Sequence, residues 1–322
     1  RAQFRSEAPV LTHVAGRLIA RFSPATRSWL LYLAPTVLLG LGTSLKINLV
    51  LLVPGLFFYQ WLQEPGQPVA QRLKRVGLSV MVYLAVIVAF YAPFWQGGAI
   101  LNVVKTNPTT SRSINTLPYT FSHIYDSIAT ALGFRSIPLI GSLAEHIFHT
   151  LSIGLFVLLY LGLCWQALRS PGSMRSIHGL VRWMAITWLF YCSVGSPWFW
   201  PWYMIMFFGL YALVEASKPA QVYIEEEFST SVGAPASITR LFKHCQDKLL
   251  QPGVVRLLAF SMLAIYGFAT WGPAHSGLFG FNWSYLTGAV AWLLPLLGLK
   301  LASKPDTQKQ TALSPAKALK GL

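Results

Sequence analysis

The sequence predicts an all-α fold: a polytopic helical integral membrane protein of about eight transmembrane helices with one long extracytoplasmic loop. Three observations lead there. Apolar residues make up 54% of the 322 and charged residues only 11%, where soluble domains carry roughly 25% charged; the mean hydropathy is +0.51. Apolar runs recur at lengths that match a roughly 30 Å hydrocarbon core. The lysines and arginines also fall overwhelmingly between alternate runs, on one side of the resulting topology. A formal charge of +15 would suggest a nucleic-acid partner in a soluble chain, but a membrane chain with basic cytoplasmic loops carries the same excess.

Residues 1–28 form the expected cytoplasmic amphipathic segment. Over 8–23, Val10, Leu11, Val14, Leu18, Ile19 and Phe22 recur at helical spacing with Arg17 and Arg21 between them, the pattern of a helix lying in the interface. The transmembrane domain is then expected over 29–301. From Trp29 to Leu62 the chain is almost wholly apolar, and as one helix it would run about 50 Å, too long for one crossing. It must fold back, and Gly42-Thr43-Ser44-Leu45-Lys46 is the break, giving spans over 29–44 and 47–62. A polar loop is expected over 63–76 and a third span over 77–94. The long outer loop covers about 95–150, punctuated by Gly97-Gly98, Pro108, Pro118 and Pro138. Within it, Phe121, Ile124, Ile128 and Leu132 predict a short helix along the membrane, and Ser142-Leu143-Ala144-Glu145 predicts a capping box opening the next span. Later spans are expected over 147–168, 181–195, 202–216, 254–271 and 285–301, with a cytoplasmic loop over about 217–253 and a disordered cytoplasmic tail over 302–322. Pro35, Pro54 and Pro295 are expected to kink spans, as membrane helices tolerate.

With both termini inside, only Lys46, Lys105, Arg112 and Arg135 of the 25 lysines and arginines lie outside. That asymmetry follows the positive-inside rule and removes nucleic acid as a partner. The chain is therefore expected in the cell membrane, multi-pass, with its functional face extracytoplasmic. Cys164, Cys192 and Cys245 have neither metal nor disulfide spacing. His146 and His149 lack a third ligand at zinc spacing, so neither metal nor cofactor is indicated.

Few outer residues carry chemistry. Asp126, three residues after His123, is either a solvated helix carboxylate or a weak candidate for a catalytic base. Glu145 is accounted for by the capping box. Lys46 either snorkels to water or meets a phosphate at the rim, and Lys105 and Arg112 bracket a polar turn, Asn107-Pro108-Thr109-Thr110, suited to an anion. The densest feature is Ser196-Pro197-Trp198-Phe199-Trp200-Pro201-Trp202-Tyr203. Its prolines stop or start helices. Its rings make either an ordinary interfacial aromatic belt or a platform of Trp200, Trp202 and Tyr203 for a sugar or lipid head.

Trp200-Pro201-Trp202-Tyr203 leading into an apolar helix, together with Ser44-Leu45-Lys46 leading into Val53-Pro54, resembles the bacterial polytopic glycosyltransferases of the GT-C class, most of all the polyprenol-phosphate-mannose-dependent mannosyltransferases. The resemblance covers the order of spans from about 29 to 216. It implies transfer of a mannose-like sugar from a polyprenyl-phosphate donor to the hydroxyl of an extracytoplasmic glycan or lipid acceptor. Lys46, Lys105 and Arg112 would then face the donor phosphate, and Trp200, Trp202 and Tyr203 the sugar. It further implies an acidic base in an earlier outer loop, so about four spans are expected upstream of this sequence and the chain alone is expected to be inactive. Two other readings stand beside it. A transporter or flippase for a lipid-linked or amphipathic substrate would open a cavity alternately to both sides, and a non-enzymatic membrane scaffold would have no cavity.

Overall fold

The computed structural model describes residues 23–63, 66–98, 115–133, 139–196, 198–228, 237–271 and 286–302. Among them every extended regular element is a helix. The helices α1 (Pro24–Leu45), α2 (Val53–Leu62), α3 (Val69–Tyr91), α4 (Leu117–Ala131), α5 (Leu139–Arg169), α6 (Ile177–Phe190), α7 (Met204–Phe228), α8 (Ser237–Leu249), α9 (Pro252–Trp271) and α10 (Thr287–Ala302) follow in order. Two stretches, Val69–Phe94 and His146–Arg169, are long and apolar enough to cross a membrane, and a third is counted if the bent pair α8–α9 is one span. Other apolar runs form shorter helices, Tyr32–Leu45, Ile47–Leu62 and Thr287–Leu297. Nearly all of the amphipathic segment expected over 8–23, and the tail beyond 302, lie outside the described residues.

Chain contacts divide the molecule into two units, Arg1–Asn102 with Ala167–Met184, and Val103–Gln166 with Ala185–Leu322. In the first unit Ser23 stands at the N-cap of α1, its side chain accepting from the Thr26 N–H at 3.2 Å, as a residue with a short side-chain oxygen does at a helix start. Pro35 lies inside α1 and cannot donate to the preceding turn. Gln60 of α2 serves that stretch: its Nε2 donates to the Tyr32 carbonyl at 3.1 Å and to Thr36 Oγ1 at 3.2 Å. A side chain from a neighbouring helix thus supports the proline-interrupted backbone where water cannot.

The fold-back occurs at Lys46, whose backbone is extended (φ −144°, ψ 99°) while its N–H still closes onto Gly42 O at 2.8 Å. A 3₁₀ segment, Ile47–Leu52, leads into α2. Pro54 is not a kink: it sits in the first turn of α2, where its missing N–H has no helical partner to lose. Gly55 has no room for a side chain, because a Cβ there would run into the Trp183 ring. The loop expected over 63–76 is also shorter than expected, since α3 begins at Val69. Pro68 sets the chain at its entry, and Gln71, Arg72, Lys74 and Arg75 are straight-chain residues that lose little freedom in a helix. Arg72 lies 5.6 Å over the Trp61 ring and donates from Nε to Gln67 O at 3.0 Å.

Helices α1 and α3 run parallel. Gly40 admits Val86 to close approach, with a built Cβ 3.1 Å from Val86 Cγ1, and Tyr91 donates its hydroxyl to Ser44 O at 2.8 Å. That bond fastens the Lys46 break to the C-terminal end of α3, roughly 28 Å along the helix from Arg72. One end of this unit therefore carries Arg72, Lys74 and Arg75, and the other Lys46 with the exposed rings of Phe94 and Trp95. Between them Met81, Leu84 and Val88 are exposed, an apolar flank suited to hydrocarbon.

In the second unit α5 starts at Leu139, so Ser142 lies inside its first turns and does not cap it. Helix formation directly after Pro138 leaves the expected capping box without a helix start to cap. The polar stretch expected as a loop over 217–253 is helical to Phe228 and again from Ser237. Glutamate, glutamine and lysine there are as compatible with helix as with coil, and polarity alone did not separate the two. Helices α9 and α10 lie side by side, with the buried Ser261 Oγ donating to Ala291 O at 3.1 Å.

Candidate functional site

The aromatic turn belongs to the second unit and is assembled from its own backbone rules. Helix α6 ends at Phe190 and loosens into a π turn, Tyr191–Gly195, with Ser196 N donating to Tyr191 O at 2.7 Å. Ser196 Oγ donates to Trp198 O at 2.8 Å. Trp200 precedes a proline and is accordingly extended (φ −128°, ψ 147°). Pro201 then opens a 3₁₀ turn, Pro201–Tyr203, which brings Trp202 back over Trp200. The two indoles stack with centroids 4.8 Å apart and planes 6° from parallel. Tyr203 meets Trp202 edge-on at 6.3 Å.

The platform rests on buried anchors. Phe199 is fully buried against Trp292 of α10, centroids 4.8 Å apart, and touches Tyr203 at 6.3 Å. Trp188 of α6 is also buried and donates from Nε1 to Tyr203 O at 2.8 Å. Asn115 holds Phe199 O through Nδ2 at 3.2 Å and has φ of 56°, a left-handed conformation that asparagine adopts more readily than most residues. Thr116 caps α4, accepting from Tyr119 N, and Thr120 Oγ1 accepts from Ala289 N at 3.2 Å. On the other side Ser152 of α5 donates to Val194 O at 2.6 Å, and Phe156 lies directly against Gly195. Against this rigid base Trp202 is 46% exposed. The surface it offers is flat, apolar and edged by an indole N–H. Ser152 and Ser196 are committed to backbone carbonyls, so they hold the turn rather than supply acid–base chemistry.

Asp126 lies elsewhere in the same unit. It is half-buried on α4, eleven residues after the Asn115 anchor. Helix α4 is the short helix expected from Phe121, Ile124, Ile128 and Leu132, and it leaves Phe121, Tyr125, Ile128 and Leu132 exposed as an outward apolar stripe. Lys46 belongs to the first unit. Lys105, Arg112 and Arg135 lie outside the described residues, as does the side chain of Glu145. Among the described residues no three His, Cys, Asp or Glu side chains gather as a metal-ligating group.

No protein-family model, curated protein or solved structure matches the chain. Its functional reading therefore stands on its residues and geometry.

Sequence reasoning found the rings and missed what holds them. Asn115-Thr116-Leu117-Pro118 carried a legible signal, a threonine N-cap followed by proline in the first turn. Trp188, Ser152 and Trp292 gave none, because each lies in an unbroken apolar run where only the tertiary fold assigns a partner.

Proposed function

We propose that the chain contributes about eight spans to a polytopic membrane glycosyltransferase, with the aromatic turn as an extracytoplasmic sugar platform. The observation that carries this is the stacked Trp200–Trp202 pair, rigidly based and open on one side. An ordinary aromatic belt needs rings at the interface but does not need two stacked indoles held on a base of buried residues. A pyranose presents a flat apolar face, and burying it on an indole gains by desolvation and dispersion. In the first unit, the separation of Lys46 from Arg72, Lys74 and Arg75 by one membrane thickness supports the charge-based topology. Lys46 sits at the proposed outer rim, where a lipid-borne phosphate would meet a cation without either entering the hydrocarbon. The reaction is attack of an acceptor hydroxyl on the anomeric carbon, with the polyprenyl phosphate leaving and carrying the bond electrons; a base takes the hydroxyl proton. On this chain Asp126 is the weak candidate for that base.

The test is donor binding by membranes containing the protein, using a short-chain polyprenyl phosphomannose. We expect saturable donor binding that Lys46→Ala weakens by about tenfold, the value of one charge-assisted phosphate contact of roughly 1.5 kcal/mol. Binding of the bare polyprenyl phosphate should fall by the same factor, because Lys46 is assigned to the phosphate and not to the sugar. Absence of donor binding would remove the glycosyltransferase reading. Movement of the intact lipid-linked donor across the bilayer would favour a flippase.

A further inference from the structure

Helix α8 carries a feature that sugar transfer does not use. Helical spacing over Ser237–Leu249 puts Ile238, Leu241, Phe242, Cys245 and Leu249 on one stripe and Arg240, Lys243 and Asp247 on the opposite face. Gln246, between the two faces, is buried and fastened to α5: its Nε2 donates to Gln166 Oε1 at 2.5 Å. This fixes the roll of the helix. With Gln246 turned inward, Cys245 on the apolar stripe is exposed, and so are Lys243, His244 and Asp247. Among the described residues, α8 is thus left open at Lys243, His244, Cys245 and Asp247.

Two further observations say what covers it. Helices α8 and α9 meet at a bend of 55°. Helix α9 has 20 residues, about 30 Å of helix, which is the thickness of a hydrocarbon core, whereas Arg240, Lys243, Asp247 and Lys248 keep α8 out of it. The bent pair is thus one crossing helix and one interfacial helix, not one broken span. Gln166 also lies fourteen residues along α5 from Ser152, which anchors the aromatic turn, so α8 sits roughly 21 Å away at the opposite end of this unit. Around it stand Arg240, Lys243, Lys248 and Arg256, against Asp247 on α8 and Glu215, which shares Tyr211 with Arg256.

We propose that α8 docks on anionic phospholipid at the membrane face opposite the aromatic turn, with its apolar stripe in the acyl boundary and its lysines and arginine at the headgroup phosphates. The proposal rests on the membrane reading given above and not on sugar transfer. Basic residues on an interfacial helix draw it to anionic lipid, each worth about fivefold in partitioning.

Cys245 reports on this directly. The full chain is placed in nanodiscs, where both faces are accessible, made of phosphatidylcholine alone or with one-third phosphatidylglycerol. Labelling at Cys245 by a neutral, membrane-impermeant PEG-maleimide is read by mass spectrometry, which separates it from Cys164 and Cys192. We expect labelling about tenfold slower in the anionic discs, and Lys243→Glu with Lys248→Glu to bring the two rates together. An Asp247→Cys variant, on the charged face, should label equally fast in both. Equal Cys245 rates in the two lipids, or a difference that survives the charge reversals, would overturn the proposal while leaving the membrane reading intact. A chain that fails to enter nanodiscs removes both.

Discussion

Substituting Gly288 by alanine is expected to destabilise the second unit by about 1–3 kcal/mol, the usual range for overpacking. A Cβ at Gly288 would run into the carbonyl of Thr116. Because the obstacle is backbone, no rotamer change relieves it, and α10 must move away from the start of α4. That movement stretches the Ala289 N–Thr120 Oγ1 bond and shifts Trp292 on Phe199, so the loss reaches the aromatic turn. For a chain of this size the apparent Tm in detergent should fall by several degrees, at roughly 2–4 °C per kcal/mol. Gly154→Ala on α5 provides the control, since a Cβ there meets nothing within 4 Å. It should leave Tm unchanged or raise it slightly, as alanine is the better helix former. An unchanged Tm for Gly288→Ala would mean that α4 and α10 do not pack as described.

Trp202→Ala is expected to reduce donor-sugar affinity by about thirtyfold, equivalent to roughly 2 kcal/mol for some 80 Å² of apolar contact. Trp202 is 46% exposed, so truncation leaves no core cavity and Tm should hold. Phenylalanine at this position keeps a flat ring and should retain most of the affinity. The loss should appear as a rise in the Kd of the sugar donor, because the platform acts in binding. It should also be absent for the bare polyprenyl phosphate, which separates the ring from Lys46. If Trp202→Ala binds the sugar donor normally, the turn is an aromatic belt and no more.

The sequence made the helical class, the break at Lys46 and the position of the aromatic turn legible, since proline, glycine and charge act locally. Lys46 is a case in point: a lone cation in an apolar run longer than one crossing leaves few places for the chain to reverse. The helix limits were less legible. Val69–Val76 and Ser237–Leu249 are polar and were expected as loop, yet Arg, Lys and Gln are good helix formers and polarity marks solvent, not coil. The expected capping box at Ser142–Glu145 shows the opposite error, a local motif overridden by a helix already under way. What made the site rigid was illegible for a different reason. The contacts of Trp188 with Tyr203 and of Asn115 with Phe199 join residues distant in sequence, and nothing in either segment names its partner.

The topology is the claim on which the rest depends, and cysteine accessibility in intact cells measures it most directly. In a chain whose native cysteines are replaced, single cysteines are introduced at Gln96, at Trp202 and at Lys74, and a membrane-impermeant maleimide is added from outside. The account predicts that Gln96→Cys and Trp202→Cys label before lysis and that Lys74→Cys labels only after it. Labelling of Lys74→Cys in intact cells, with Trp202→Cys protected until lysis, would contradict it.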